Sequence, residues 1–197
     1  VKLHQGMINE MRGVPGVQAD RLEEAFTVMH CALSLVGEPI MYPRINELLG
    51  ELHARDISTF MVTNAQFPEQ IAALSPVTQM YVSVDASTKE TLKAIDRPLF
   101  KDFWERFQGS LEALATRQQR TVYRLTLVNE WNMKEADEYA NLIERHQPDF
   151  IEIKAVTYCG KSDGSSLTMQ NVPRHAEVCA YSEAILKTLM AGGKSVP

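Results

Sequence analysis

Residues 121–156 read TVYRLTLVNEWNMKEADEYANLIERHQPDFIEIKAV. Two apolar runs, 121–128 and 150–156, flank a stretch of helical spacing over about 134–146, with Ala136, Tyr139, Ala140 and Ile143 on one side. Strand, helix and strand in that order make a crossover, and a crossover sets its two strands parallel. The same alternation extends back along the chain through the runs 31–36 (CALSLV), 58–63 (STFMVT) and 79–84 (QMYVSV). Between them, Ile45, Leu48, Leu49 and Leu52 give a helix over about 43–55, with Pro43 suited to its first turn. A short helix follows Pro68, and Ser87 or Thr88 can cap the next one, which carries Leu92 and Ile95. A longer helix is expected over about 99–117, and a last one over 174–190, after the Gly/Ser-rich residues 160–166. Five strands with about five main helices predict an α/β fold with a parallel sheet. Two architectures fit: a doubly wound open sheet, or an arc of a (β/α) barrel.

The chain has 197 residues, 45% hydrophobic and 23% charged, with a formal net charge of −5. This composition excludes wholesale disorder and a generally basic nucleic-acid coat. No apolar stretch has the length needed to cross a bilayer, and no charged-then-apolar leader opens the chain. Cys31, Cys159 and Cys179 lie far apart, which suggests reduced thiols and a cytoplasmic protein. The opening VKLHQGMINEMRG reads as the middle of a helix and the closing MAGGKSVP fades from one, so both ends read as cut.

In either parallel architecture the active site belongs at the carboxyl ends of the strands. Polar residues collect there. Gly37-Glu38-Pro39 offers a sharp turn, backbone carbonyls and a carboxylate that could accept from an ammonium group, or a plain turn with Glu38 as a helix cap. Thr63, Asn64, Ser83 and Asp85 suit ribose hydroxyls, although Asp85 could equally cap a helix. Arg124 interrupts an apolar strand and needs a partner, either a bound carboxylate or a buried acid such as Asp85 or Glu38. Glu152 and Lys154 share one face of the fifth run, as a polar layer or with Lys154 as a Schiff-base amine.

Other patterns carry less. Gly193-Lys194-Ser195 lacks the earlier glycine of a phosphate-binding loop, because position 188 is Thr188. His175 and Cys179 have metal-compatible spacing but no second pair. Residues 89–124 hold eight basic and five acidic side chains, a local excess of three positive charges in an acidic chain. Such a patch could touch a phosphate backbone, or form a solvated helix with i,i+4 pairs.

Taken together, LSLVGEPIMYPRI, FMVTNAQFP, YVSVDAST, IDRPLFKDFWERF, QQRTVYRLTLV and PDFIEIKAVTYCG resemble the radical S-adenosylmethionine (SAM) domain of the 4-demethylwyosine synthases, in their eukaryotic-type form. The resemblance covers about residues 13–173 and implies a partial (β/α) barrel of the radical SAM type. It further implies a [4Fe-4S] cluster that cleaves SAM, and a radical that attacks N1-methylguanosine beside the anticodon of phenylalanine tRNA. Two carbons of pyruvate then complete 4-demethylwyosine, a step of wybutosine biosynthesis. On this resemblance Gly37 and Glu38 hold the methionine amino group, and Thr63 and Asn64 stand at the next strand end. Ser83 and Asp85 face the ribose and methionine parts of SAM. Arg124 takes the carboxylate, and Thr157 and Tyr158 approach the adenine or the substrate.

One departure matters. The family's CxxxCxxC motif is not in this sequence, and the three cysteines cannot replace it by spacing. The resemblance implies that the cluster cysteines and the pyruvate lysine precede Val1, with an FMN-binding flavodoxin-like domain earlier still. Residues 1–197 are therefore expected to be a single partial radical SAM domain, truncated at both ends, lacking the first barrel strand and inactive alone. Two other readings stay open: a (β/α)-barrel lyase or aldolase using Lys154 on a keto acid, and a non-catalytic tRNA-binding remnant using residues 89–124.

Overall fold

The computed structural model describes residues 1–34, 37–117, 119–160 and 166–192. Its centre is a five-stranded sheet: β1 (His30–Leu33), β2 (Ser58–Thr63), β3 (Gln79–Ser83), β4 (Arg120–Leu127) and β5 (Phe150–Ala155). Every neighbouring pair is parallel, and the spatial order is the chain order, β1-β2-β3-β4-β5. A doubly wound sheet reverses its strand order at a switch point. This sheet does not, so it is an arc of a (β/α) barrel.

The two faces of the arc differ in composition. Met61, Met80, Val82, Tyr123, Leu125 and Leu127 point to one side and are buried under helices. Those helices include α3 (Ile45–His53), α4 (Pro68–Ala73), α6 (Phe103–Ala115), α7 (Ala136–His146) and α8 (His175–Ala191). Phe60, Val62, Tyr81, Ser83, Arg124, Thr126 and Glu152 alternate onto the other face and are only half-buried. That concave face corresponds to the barrel interior. Arginine, serine and glutamate are tolerated on it because it is not sealed from water.

Strand expectations agree within a residue or two for β2, β3, β4 and β5. β1 was expected over 31–36 and runs His30–Leu33, with residues 35 and 36 outside the described ones. Eight α-helices occur among the described residues, more than the expected five. α1 (Lys2–Glu10) was foreseen, whereas α2 (Ala19–Ala25), of seven residues, was not. α5 (Lys89–Asp96) is capped by Thr88, whose side chain accepts from the Thr91 amide. The helix expected from residue 99 begins only at Phe103. Arg97 stands in a left-handed conformation ahead of Pro98, and this breaks the chain between α5 and α6. Pro43 likewise lies outside α3, which starts at Ile45 after the N-cap Arg44.

Much of the basic excess of residues 89–124 is used internally. Arg117 donates to the carbonyls of Ile71, Ala72 and Leu74, closing the end of α4. Lys89 pairs with Glu105, and Arg106 pairs with Asp102 one helical turn away. Arg120 lies over the Phe150 ring.

Candidate functional site

At the carboxyl ends of β1, β2 and β3 lies a cavity of about 600 Å3. Gly37, Glu38, Asn64, Ser83 and Asp85 line it, five of the residues singled out at the strand ends. Its outer wall is the end of α5 and the following loop, Asp96, Arg97, Pro98, Leu99 and Phe100. Gly37 has φ +70, a conformation that glycine adopts without strain, and a Cβ there would meet no atom within 4 Å among the described residues beyond its chain neighbours. The turn therefore needs glycine for its backbone and leaves open space above it.

Glu38 does not cap a helix with its side chain. It precedes the short 3-10 turn Pro39–Met41, and its Oε2 accepts the Asn64 amide at 2.9 Å. The carboxylate thus ties the end of β1 to the end of β2. Its other oxygen, Oε1, is buried with no hydrogen-bond partner among the described residues. Burial pushes the Glu38 carboxyl above the usual range, against the opposing pull of the Asn64 amide and the Thr63 hydroxyl.

Asp85 does not cap a helix either, since Thr88 takes that role for α5. Asp85 Oδ1 is also buried and without a hydrogen-bond partner among the described residues. Burial raises its pKa, while contact with Thr126 and the charges of Lys154 and Arg124 oppose the rise. Asp96 has enough exposed surface to face solvent, yet its carboxyl is crowded at the cavity wall. It is raised to about 7, first by burial and then by the Asp85 charge. Three carboxyls with raised pKa values thus surround one cavity. Such a group is stabilised by a cationic ligand, which restores the ionised forms.

The remaining residues fall outside the cavity. Thr63 is buried on the helix-facing side, like Met61, and its Oγ1 accepts the Ala65 amide at 3.2 Å. Arg124 has a partner, but it is neither Asp85 nor Glu38. Its Nε donates to Glu152 Oε1 at 2.9 Å, and its guanidinium lies 4.7 Å from the centre of the Tyr81 ring. The β4–β5 register sets Arg124 directly beside Glu152. Glu152 therefore forms its polar layer with Arg124 rather than with Lys154. Thr157 is exposed and Tyr158 half-buried on the segment after β5, apart from the residues that line the cavity.

Sequence reasoning missed the outer wall, Asp96 to Phe100, although the Arg97-Pro98 break marks an interrupted helix. It also missed Asn132. This residue is fully buried, and its Nδ2 donates to the carbonyls of Asp85 and Thr126, both at 2.8 Å. Its Oδ1 accepts the Val128 amide at 2.8 Å. The side chain pins the end of β3 to the end of β4 and so positions Asp85.

The cysteines do not form a cluster site. All three are free, Cys31 half-buried and Cys159 and Cys179 exposed. Cys179 Sγ lies 3.5 Å from His175 Nε2. Among the described residues, no group of three His, Cys, Asp or Glu side chains is placed to hold a metal ion. No helix among them is long and apolar enough to cross a membrane.

Comparisons with known proteins agree with this fold. The S-adenosyl-L-methionine-dependent tRNA 4-demethylwyosine synthase of Arabidopsis thaliana is 66% identical over 183 residues, 93% of this chain and 28% of that protein. The Homo sapiens protein of that name, TYW1, is 65% identical over 181 residues, 92% of this chain and 25% of its own length. The chain thus spans about a quarter of the length of these relatives. A solved structure of TYW1 with a lysine-pyruvate adduct bound superposes with a TM-score of 0.83 at 27% identity, over 94% of this chain and 59% of that one. A family profile described as wyosine base formation matches residues 145–190. The profile of the radical SAM superfamily matches residues 17–143, from before β1 to within α7 and across the whole cavity. On that match, which spans well over half its length, the chain belongs to the radical SAM superfamily.

Proposed function

We propose that the cavity is the SAM site of a tRNA 4-demethylwyosine synthase, and that this chain is part of that enzyme's radical SAM domain. The observation that carries the reading is a pair of buried carboxylate oxygens on one cavity, Glu38 Oε1 and Asp85 Oδ1, neither with a partner among the described residues. SAM offers both kinds of group such oxygens accept from: an ammonium, and the hydroxyls of a ribose. Glu38 and the carbonyls of the Gly37 turn would take the ammonium. Asp85 and the Ser83 hydroxyl would take the ribose. The sulfonium adds a second positive charge among three carboxyls, so the charged cofactor is favoured over its neutral thioether product.

The residues present fit SAM and do not fit the iron–sulfur cluster. A cluster would supply reducing power to the whole enzyme, and its thiolates would come from residues outside this chain. What this chain contributes is orientation. Asn132 holds Asp85, the Asn64 amide holds Glu38, and the wall from Asp96 to Phe100 closes the side away from the sheet. Phenylalanine tRNA carrying N1-methylguanosine, together with pyruvate, completes the proposed reaction. Names of relatives of over 60% identity and the adduct in the similar structure support this reading. The aldolase alternative finds no comparable support, because Lys154 is exposed and does not line the cavity.

The test is anaerobic incubation of the full-length protein with SAM, a reductant, pyruvate and N1-methylguanosine-containing phenylalanine tRNA. Nucleoside mass analysis should show 4-demethylwyosine. Unchanged N1-methylguanosine with a reconstituted cluster would refute the reading.

A further inference from the structure

A second cavity, about 480 Å3, lies beside the first and shares one wall with it, Arg97. Its lining includes Trp131, Ile95, Ala94, Thr91 and Glu90. Trp131 is half-buried, and its indole makes no hydrogen bond or ring contact among the described residues. A large aromatic ring facing a cavity with an unused N–H is a poor structural filler and a good stacking platform. The residue before it, Glu130, is held at φ +69, an uncommon backbone conformation that fixes how the loop presents the tryptophan.

Three cationic side chains nearby have no partner among the described residues. Arg97 is exposed, and its guanidinium is unpaired among the described residues, as are the ammonium groups of Lys101 and Lys134. These three stand on the two loops that border the cavity, while Lys89 and Arg106 are neutralised by Glu105 and Asp102. Arg97 also takes a left-handed conformation, with the Leu99 side chain that follows it 96% exposed. An aromatic platform flanked by free cations, next to a site that must receive one base of an RNA loop, matches how proteins hold unpaired nucleotides.

We propose that Trp131 and Arg97 form a seat for the unpaired nucleobase adjacent to the one presented to the SAM cavity. The base stacks on the Trp131 ring, and Glu90 accepts from its N–H edge. Arg97, the partition between the cavities, holds the phosphate that joins the two nucleotides. Leu99 fills the space between the separated bases. This assignment rests on the tRNA reading above and adds the position of a second nucleotide.

The test uses the full-length protein and an RNA hairpin with N1-methylguanosine at its modified position. 2-Aminopurine is placed in turn at each neighbouring loop position. One of the two should lose fluorescence on binding. Trp131→Ala should abolish that quenching and weaken binding roughly 5- to 150-fold, the range for losing one base–aromatic stack. Trp131→Phe should keep most of both. An abasic nucleotide at the quenched position should weaken the unmutated protein by the same factor and add nothing to Trp131→Ala. Trp131→Leu keeps apolar volume without the ring, and retained SAM binding shows that either variant is folded. Unchanged affinity and quenching in the folded variants, with RNA still bound, would overturn the stacking seat alone. Absence of RNA binding by the unmutated protein would overturn the tRNA reading and the seat together.

Discussion

Glu38→Gln separates the charge of Glu38 from its structural role. The Oε2 atom accepts the Asn64 amide at 2.9 Å, and a glutamine carbonyl can do the same. The link between the β1 and β2 ends should therefore survive. Oε1 is the buried oxygen without a partner among the described residues, and in the variant an NH2 group takes its place, offering a donor where the ligand ammonium also donates. A hydrogen bond to a charged group is worth about 1.5–3 kcal/mol, so the variant should lose about 2 kcal/mol of SAM binding, roughly 30-fold in Kd. Stability without ligand should move the other way. The Glu38 carboxyl is raised by burial, so its charged form is disfavoured in the empty fold, and removing the charge should leave stability equal or slightly higher. Equilibrium dialysis of the full-length protein against SAM measures the first effect, and urea unfolding measures the second. A variant that binds SAM within about threefold of the unmutated protein, or that loses more stability than affinity, would refute the assignment of Glu38 to the ligand.

Three more predictions rest on different contacts. Asp96 is raised to about 7, so stability from its protonated form is complete below the ordinary carboxylate range and lost as pH rises through 7; Asp96→Asn should flatten thermal midpoints between about pH 5 and 8, and a parallel decline in both proteins would contradict this. Asn132→Ala removes three buried hydrogen bonds and should cost about 3 kcal/mol in urea unfolding, with weaker SAM binding; a loss under about 1 kcal/mol would show that Asn132 does not pin β3 to β4. Arg117→Ala uncaps α4 and should destabilise by about 1–2 kcal/mol, with faster amide exchange confined to residues 68–74; Arg117→Lys should rescue little, because one ammonium cannot match the guanidinium fork on several carbonyls.

The strands were legible because each is a short apolar run bounded by polar turns, and β2, β3 and β4 fall within a residue of their runs. The strand-end rule then found five cavity residues without any distance information. The alternation that predicts strands also settles Thr63: it shares its side with Thr59 and Met61, so it faces the helices. Local patterns left the barrel arc and the doubly wound sheet both open, and only the resemblance decided for the partial barrel that the strand order shows. Strand order depends on how the crossovers pack, and no local pattern records it. The partner of Arg124 was missed for a related reason, because only the β4–β5 register sets it beside Glu152. The wall from Asp96 to Phe100 was hidden because residues 99–102 read as the start of the longer helix, whereas the chain after the left-handed Arg97 stays out of a helix until Phe103. Asn132 gave no sequence signal: its importance comes from three backbone groups that folding brings to one point.

Hydrogen–deuterium exchange of the full-length protein, with and without SAM, tests the location of the cofactor most directly. The account predicts slowed exchange in three separate segments, at Gly37 and Glu38, at Ser83 to Asp85, and at Asp96 to Phe100, with little change around Thr157 and Tyr158. SAM binding accompanied by protection elsewhere, and none at these three, would contradict it.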